Sequence, residues 1–310
     1  MLELQIVTYA AVAVSVIAML AKIIRYATAP EHMRWELYPV PHEKGRAEYG
    51  GSYLEELDWW TKKRHTDTVN ELREMAAEVL LLKGVYHHNK TVWTWSLPFH
   101  VGLYLCIGWL VLLLMGAVLT ALIGSPGPDA AFGGKAIHYL TVLCGYAGLG
   151  LSGIGALGLF VWRLSDRDQR KYNSPMEYVN LLFFVVVSAV AIAAQATLDP
   201  SFVALRQFVH SLVTFASFDS PGALFSAEVV LVSVLIAYIP LTRMSHFVAK
   251  YFLYHSVRWN DTPNERGSKM EKRVMELLNQ KVGWSAPHMG AGKTWADAVT
   301  VEPKREAGNE

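Results

Sequence analysis

Two histidines lie at the ends of apolar segments, where a polar side chain needs a strong partner. His100 lies in the segment LPFHVG (97–102), and His246 ends the segment PLTRMSH (240–246). Two neutral imidazoles on facing helices at similar depth can bind the iron of a b-type haem from both sides, and the haem gives each buried nitrogen a partner. The pair predicts a bis-histidine haem site, which suits electron transfer because no iron position stays open.

Two neighbours of these histidines support this interpretation. Gly102 would let a flat macrocycle approach the helix closely, because glycine has no side chain. Arg243 lies one helical turn before His246 and would pair with a haem propionate. The alternatives stay open: each histidine can hydrogen-bond a neighbour or reach interfacial water, and Arg243 can extend its side chain towards the lipid headgroups.

Glu228 is a third unusual residue, because a carboxylate in an apolar segment must face the bundle or an aqueous pocket. It lies 18 residues before His246, which is five turns of a continuous helix and places both on one face, roughly 27 Å apart. As a functional residue, Glu228 is expected to accept a proton or to contact a quinone. The alternative is simple exposure at the outer membrane boundary.

Other polar side chains are candidates for a quinone site. His138 and Tyr139 begin an apolar segment at the outer side, and His210 lies in a loop at the same side. They could line the mouth of a quinone pocket or supply a second haem, and the alternative is an interfacial position. Arg163 and Asn180 are the candidates at the inner side. A quinone headgroup needs a hydrogen-bond donor and a proton relay, which these residue types can provide.

The composition restricts other kinds of chemistry. The 310 residues are 52% hydrophobic and 18% charged, which is too apolar for a disordered chain or an ordinary cytosolic domain. Two cysteines are too few for a cysteine-rich zinc site or a cysteine-bound iron–sulfur cluster, and covalent haem is excluded because no C-x-x-C-H motif occurs. A net charge of +1 argues against nucleic-acid binding. No side chain is suited to bond-making, so a cofactor must supply any redox step.

Helices that cross a membrane must position these residues. About 20 apolar residues span the hydrocarbon core, and five segments qualify. They are roughly 4–26, 97–123, 137–162, 176–198 and 223–247, with helical character continuing from the last of them towards Trp259. The sequence therefore predicts an all-α integral membrane bundle of five transmembrane helices.

Lysines and arginines predict the orientation of this bundle. They concentrate between the first two spans, between the third and fourth, and after the fifth, whereas the other two loops contain only Lys135 and Arg206. Because positively charged loops stay in the cytoplasm, we expect a multi-pass protein of the cytoplasmic (inner) membrane with its N-terminus outside and its C-terminus inside.

The parts outside the bilayer are expected to be helical as well. The predicted segments are a first transmembrane helix (1–27), a cytoplasmic amphipathic segment (28–95), a four-helix haem-binding region (96–259) and a cytoplasmic partner-docking tail (260–310). Residues 69–80 have apolar side chains at helical spacing, which is typical of an interfacial helix or of a docking surface for a cytoplasmic subunit. The loop 199–222 predicts a short helix on the membrane surface. The GKT sequence at 292–294 lacks the first glycine and the strand of a P-loop, so nucleotide binding is not expected.

Together the topology and the histidine motifs resemble the cytochrome b (gamma) subunit of respiratory nitrate reductase. FHVG (99–102) looks like the start of that family's second helix, and PLTRMSH (240–246) looks like the segment with the inner ligand of its fifth helix. The resemblance implies haem b bound by the two histidines of these segments. The outer-haem ligands of the family would fall at Leu110 and Glu228, and neither is histidine. One haem is therefore expected, and a second is possible only on relocated ligands such as His138.

Three further segments are similar to a branch of this superfamily. SPMEYVNLLF (174–183), WSAPH (284–288) and KTW (293–295) look like the DsrM-like, TmcC-like and HdrE-like membrane cytochromes of sulfate reducers and methanogens. Those subunits work with a cytoplasmic iron–sulfur protein related to the catalytic subunit of heterodisulfide reductase, and the resemblance implies such a partner here. The long segment 28–95 departs from the nitrate reductase subunit, which argues against docking to a nitrate reductase beta subunit.

The sequence thus predicts a membrane b-type cytochrome that transfers electrons between a quinone, with menaquinone expected, and a cytoplasmic iron–sulfur subunit. The direction of electron flow and the side of the quinone site stay open. One alternative is a haem-free anchor for a cytoplasmic redox complex. Another is a transporter, but a transporter needs charged residues at mid-bilayer, and none is clear here. The glycines of 148–155 are better explained by close helix packing or by room for a cofactor.

Overall fold

The computed structural model describes residues 2–31, 40–46, 51–286 and 290–300. Over these residues the chain is helical, and two isolated bridges, Glu43 with Thr66 and Lys281 with Thr294, are its only β-type pairings. The α-helices of the described residues are α1 (Leu2–Ala27), α2 (Thr68–Leu80), α3 (Lys83–His88), α4 (Lys90–Leu122), α5 (Phe132–Ser165), α6 (Arg167–Tyr172), α7 (Pro175–Leu198), α8 (Val203–Thr214), α9 (Ala223–Leu241), α10 (His246–Leu253), α11 (Lys269–Leu278) and α12 (Trp295–Thr300).

Five of these helices, α1, α4, α5, α7 and α9, are long and apolar enough to cross a membrane. The all-α prediction with five spans is therefore confirmed, and the chain is a multi-pass membrane protein. The helices α4 and α5 contain 33 and 34 residues. At about 1.5 Å per residue they are roughly 50 Å long, so they extend beyond a hydrocarbon core of about 30 Å.

The fifth span is shorter than predicted. The helix α9 ends at Leu241, the backbone of Thr242 is extended, and a short 3-10 turn (Arg243–Ser245) separates α9 from α10. Pro240 weakens the last turn of the helix, because proline lacks a backbone N–H and its ring crowds the carbonyl group four residues earlier. Glu228 and His246 therefore do not lie on one continuous helix, and the prediction that they share a face is wrong.

The chain divides into two compact units. Unit 1 consists of Met1–Ala18 and Leu72–Arg243, and unit 2 consists of Met19–Glu71 and Met244–Glu310. The two units are defined by which residues pack together. The four predicted segments were defined by the expected side of the membrane, so the units do not test their bounds.

In unit 1, α4 and α5 pack closely through small residues. A side chain on Gly102 would collide with the backbone of Ser152 and with the carbonyl oxygen of Gly148, and one on Gly155 would collide with the backbone of Phe99. Small residues at such a seam let two helix backbones approach each other, and van der Waals packing then stabilises the pair. The backbone of α5 occupies the space beside Gly102, so the prediction that Gly102 makes room for a macrocycle is wrong.

The apolar core of unit 1 lies where α8 packs against α4. Its buried members include Trp109, Leu113, Phe202, Leu205 and Phe208. This confirms the short helix predicted in the loop 199–222. The buried face of α8 contributes to the core of the bundle, which a helix merely resting on lipid would not do.

Unit 2 is held together by buried ionic groups between distant segments. Glu31 is 6% exposed, and its carboxylate accepts hydrogen bonds from Asn260 at 2.6 Å and Arg273 at 2.8 Å. His42 and Arg64 both donate to Asp261, which is 4% exposed. These bonds join the chain after α1 to the chain after α10, and buried charges of this kind need such partners.

Two predictions outside the spans can be compared with the structure. The helix α2 forms at the predicted position, and its side chains Leu72 and Leu80 remain exposed; the choice between an interfacial helix and a docking surface stays a prediction. The GKT segment belongs to a turn in which the Gly292 amide donates to the Val282 carbonyl and the Thr294 hydroxyl donates to Asp297. These bonds are local and do not form a phosphate-binding loop.

Candidate functional site

A group of buried polar side chains lies where α5 and α9 begin and α7 ends in unit 1. We call it the polar cluster, and its members are Trp109, His138, Gln195, Asp199, Arg206 and Glu228. Each is less than 7% exposed. The cluster combines side chains from α4, α5, α7, α8 and α9 with the residue that follows α7, so it exists only in the folded bundle.

Glu228 is directly bonded to Gln195 across α9 and α7. The amide of Gln195 donates to Oε2 of Glu228 at 2.6 Å, and the glutamate is 1% exposed. Neither Oε1 of Glu228 nor Oε1 of Gln195 has a hydrogen-bond partner within the described residues. Glu228 faces the bundle, and the alternative of simple exposure at the membrane boundary is wrong.

Arg206 enters the cluster from α8. It donates from Nη1 to the Pro126 carbonyl at 3.1 Å, while Nε and Nη2 have no partner in the described part of the chain. Burial lowers the pKa of Arg206, and the nearby Asp199 carboxylate opposes this shift. An arginine in this position still stays charged, so the cluster contains a buried cation with N–H groups available to a ligand.

Asp199 positions Arg206 by capping the helix α8. Its carboxylate accepts hydrogen bonds from the backbone amides of Val203 at 2.7 Å and Leu205 at 3.0 Å. Carboxylates stabilise helix N-termini because they satisfy free amides and oppose the positive end of the helix dipole. A side chain on Gly116 of α4 would meet Arg206 Cδ at 2.8 Å, so the arginine stem is confined between α8 and α4.

Two aromatic donors complete the cluster. Trp109 Nε1 and His138 Nδ1 have no hydrogen-bond partner among the described residues. The Trp109 ring packs edge-on against Phe202 with centroids 5.4 Å apart, and Arg206 lies within electrostatic range of His138. His138 is thus buried within electrostatic range of a cation, and its part in a quinone pocket, as a second haem ligand or at the membrane interface stays a prediction.

The cluster stands out because its polar atoms are unsatisfied. Seven buried side-chain nitrogen or oxygen atoms without a partner occur in the described residues, and six of them belong to Trp109, His138, Gln195, Arg206 and Glu228. An unsatisfied buried polar group costs about 1–3 kcal/mol. Six such atoms on neighbouring helices of one unit favour a site that binds a polar ligand or ordered water.

The sequence pointed to only part of this cluster. Glu228 and His138 were both candidates, and Tyr139 was a candidate as well. The Tyr139 side chain is 56% exposed, because adjacent residues on a helix point about 100° apart, and it does not line the cluster with His138. Trp109, Gln195, Asp199 and Arg206 were missed. A glutamine near the end of an apolar span and a lone arginine in a short loop are the signals that could have found Gln195 and Arg206.

The other outer and inner candidates occupy separate positions. His210 is half-buried on α8. Asn180 accepts a hydrogen bond from the Tyr238 hydroxyl at 2.7 Å, which links α7 to α9. The backbone carbonyl of Arg163 accepts a bond from Tyr178 at 3.4 Å, which links α5 to α7. The structure therefore shows helix-linking contacts for Asn180 and for the Arg163 backbone, and the quinone role of both residues stays a prediction.

His100 is half-buried near the start of α4, and its ring orientation is fixed. Its Nδ1 lies 2.7 Å from the backbone carbonyl oxygen of Ser96. A carbonyl can only accept, so Nδ1 carries the proton and the lone pair of the neutral ring is on Nε2. A histidine whose Nδ1 donates to a backbone carbonyl is oriented as metal-ligating histidines commonly are. His100 therefore fits the part of a haem ligand.

His246 and Arg243 lie beyond the end of α9. Arg243 is in the 3-10 turn that ends unit 1, and His246 begins α10 in unit 2. Both side chains are exposed. The described residues contain no group of three or more His, Cys, Asp or Glu side chains that could hold a metal ion; a haem needs only two axial ligands, so this finding does not test the haem prediction.

Comparison with known proteins adds no relative. No family model, no curated protein and no solved structure matches the chain. The resemblance to cytochrome b subunits therefore stays a prediction from the residues quoted above.

Proposed function

We propose that this chain is the membrane b-type cytochrome subunit of a respiratory complex, transferring electrons between a membrane quinone and a cytoplasmic iron–sulfur subunit. The observation that carries the proposal is the polar cluster, because it offers unsatisfied donors and acceptors together in a membrane-spanning bundle. The quinone is expected to be menaquinone, and the partner is expected to be of the heterodisulfide-reductase type.

The cluster suits both redox forms of a quinone. The carbonyl oxygens of an oxidised quinone accept hydrogen bonds, and Trp109 Nε1 and the N–H groups of Arg206 are donors. The hydroxyl groups of the reduced form donate, and Oε1 of Glu228 and Oε1 of Gln195 are acceptors. Because quinone reduction consumes two protons with its two electrons, Glu228 would also accept or deliver a proton at this site.

His100 supplies the second part of the proposal. Haem, when bound, supplies one-electron transfer, and His100 and His246 would hold it, with Arg243 near a propionate. His100 lies 16 residues before Gly116 on α4, and Gly116 contacts Arg206 of the cluster. At about 1.5 Å per residue the two positions are roughly 24 Å apart along the helix. By the predicted orientation the cluster is on the outer side and His100 on the inner side, so electrons would cross much of the bilayer.

The test is haem quantification on the purified protein. A reduced-minus-oxidised spectrum and pyridine haemochrome should give one haem b per chain, and His100→Ala and His246→Ala should each lose it. His87→Ala is the matched control, because His87 is an exposed histidine before the same helix α4, and it should keep the haem.

The outcomes separate the alternatives. Two haems per chain would contradict the single site and make His138 and His210 the next ligands to replace. No absorbance in the wild-type protein, with assembly unaffected by His100→Ala, would favour the haem-free anchor for a cytoplasmic redox complex.

A further inference from the structure

A basic cavity lies in unit 2, in the chain between α1 and α2. Its volume is 190 Å³, and its lining includes Lys44, Arg46, Lys62, Lys63 and Arg64. At about 30 Å³ for each water molecule in the liquid, this space could hold a phosphate diester group. Among the described residues, the lining contains two carboxylates, Glu43 and Glu56, against these five cations.

The carboxylates neutralise only part of this charge. Glu56 forms ion pairs with Arg46 and, at 2.9 Å, with Lys62. Burial and the neighbouring Asp261 carboxyl raise the pKa of Glu43, in spite of the hydrogen bond from Ser52. Glu43 is 2% exposed, and its carboxylate already accepts hydrogen bonds from the Ser52 hydroxyl and the Tyr53 amide.

Two lysines of the lining remain without an ionic partner. Neither Lys44 nor Lys63 makes a salt bridge within the parts of the chain that the structure describes, and both side chains are exposed. Arg64 in turn pairs with Asp261 behind the cavity. The ammonium groups of Lys44 and Lys63 can thus bind an anion at the cavity without first breaking an ion pair of the described residues.

Large apolar side chains lie beside the cavity in the sequence. Leu57 is 81% exposed and Trp60 is 65% exposed, and they alternate with the lining residues Glu56, Trp59 and Lys62. Tryptophan next to lysine and arginine is typical of the membrane–water interface, where the ring enters the headgroup region. A soluble phosphate compound would need the cations but not the exposed leucine and tryptophan.

We propose that this cavity binds the phosphate group of an anionic phospholipid, with Leu57 and Trp60 inserted at the boundary between headgroups and acyl chains. Unit 2 begins within the membrane-spanning helix α1, so its first soluble segment follows directly from the bilayer. Lys44 and Lys63 would contact the phosphate. The proposal goes beyond electron transfer and depends on neither haem nor quinone.

The test is a lipid titration of the full-length protein in detergent, followed by native mass spectrometry. Phosphatidylglycerol should bind more tightly than phosphatidylcholine. Each basic residue near an anionic membrane surface contributes about 1 kcal/mol, and about 1.4 kcal/mol corresponds to a factor of ten. Lys44→Gln/Lys63→Gln should therefore weaken phosphatidylglycerol binding by roughly 25-fold.

The control removes the same charge from another predicted inner segment. Arg170→Gln/Lys171→Gln changes two exposed residues of α6 and should leave the affinity within about twofold of wild type. Lys44→Arg/Lys63→Arg keeps both charges and should retain binding, which shows that the lysine substitutions act through charge and not through misfolding.

A second variant distinguishes lipid from free phosphate. Leu57→Ser/Trp60→Ser should weaken phosphatidylglycerol binding while leaving competition by glycerol 3-phosphate unchanged. Three results would overturn the proposal: equal binding of the two lipids, equal losses in the cavity and control variants, or full displacement of the lipid by inorganic phosphate at equal concentration. Selective binding of an acidic protein segment with no lipid preference would likewise contradict it.

Discussion

The bond between Gln195 and Glu228 leads to a prediction in which stability and function separate. We consider Gln195→Leu, Glu228→Leu and the double variant, because leucine has a similar size and no polar atom. Either single change leaves the other polar side chain buried and unbonded. The double change replaces a polar pair by an apolar pair between α7 and α9, and such a replacement can be nearly neutral.

The magnitude follows from the geometry. The donor–acceptor distance is 2.6 Å, both side chains are buried, and an orphaned buried partner costs about 1–3 kcal/mol. Each single variant should therefore lower the free energy of unfolding by about 1–3 kcal/mol. Hydrogen bonds between membrane helices average about 0.6 and reach about 1.7 kcal/mol. Because the double variant should lose almost no stability, the coupling energy equals the sum of the two single losses. We expect about 2 kcal/mol, the low end of that sum, since bonds between membrane helices are weak.

Function should not recover with stability. If Glu228 accepts a proton from quinol, its loss should reduce turnover by about 100-fold or more, the lower range for general acid–base catalysis. The double variant should thus be as stable as wild type, contain its haem and fail to oxidise a menaquinol analogue in the assembled complex. Unfolding in mixed micelles, followed by tryptophan fluorescence, gives the stability, and dye-linked quinol oxidation gives the turnover.

A matched cycle on the same two helices provides the control. Asn180→Leu and Tyr238→Phe remove the bond of 2.7 Å between Asn180 and the Tyr238 hydroxyl, which is only partly buried and should show a smaller coupling energy. Additive effects of Gln195→Leu and Glu228→Leu would refute the argument about the buried pair. Normal turnover in the double variant would refute the quinone site at the cluster, and a loss of turnover confined to Asn180→Leu would move it to the inner side.

Two other substitutions have predicted outcomes. Gly102→Ala should lower the free energy of unfolding by about 1–3 kcal/mol, because the added methyl group would collide with the α5 backbone. Gly150→Ala is the control and should be neutral, since nothing lies within 4 Å of that position. Equal losses of stability for the two variants in the same micelle assay would contradict the close packing of α4 against α5. Burial raises the pKa of Glu43 above its ordinary value of 4.5, so its contribution to stability is present at low pH and is lost as the pH rises through the raised pKa. Glu43→Gln should therefore stabilise the protein at neutral pH, and the gain should shrink as the pH falls from the raised pKa towards 4.5 and be absent below it; a thermal-unfolding series whose gain grows on acidification would show the opposite sign.

Hydropathy and length were sufficient to find the five spans, because an unbroken apolar run of about 20 residues has few other uses. The end of the fifth span was missed although Pro240 was visible in the sequence. Mean hydropathy stays high on both sides of a proline, and a proline by itself does not decide where a helix ends, because Pro98 lies within α4.

The site was predictable where the residue type alone is unusual. A glutamate in an apolar span has to face something polar, so Glu228 was found. Its partner Gln195 and the buried Arg206 could not be found in this way, since their burial depends on how α7, α8 and α9 pack. For Gly102 the sequence suggested a role that the packing does not support. A glycine beside a candidate haem ligand can make room for a cofactor or for a neighbouring helix, and here the α5 backbone lies beside it.

The bond between Gln195 and Glu228 also has a consequence for biosynthesis. The ribosome delivers α7 before α9, so a nascent chain that ends within α8 presents Gln195 near the end of a span with no acceptor. In such an intermediate the Gln195 amide lacks the acceptor that it has in the finished bundle, and an unsatisfied buried polar group costs about 1–3 kcal/mol. The bond can form only after α9 has been made, so the outer end of α7 reaches its final packing last.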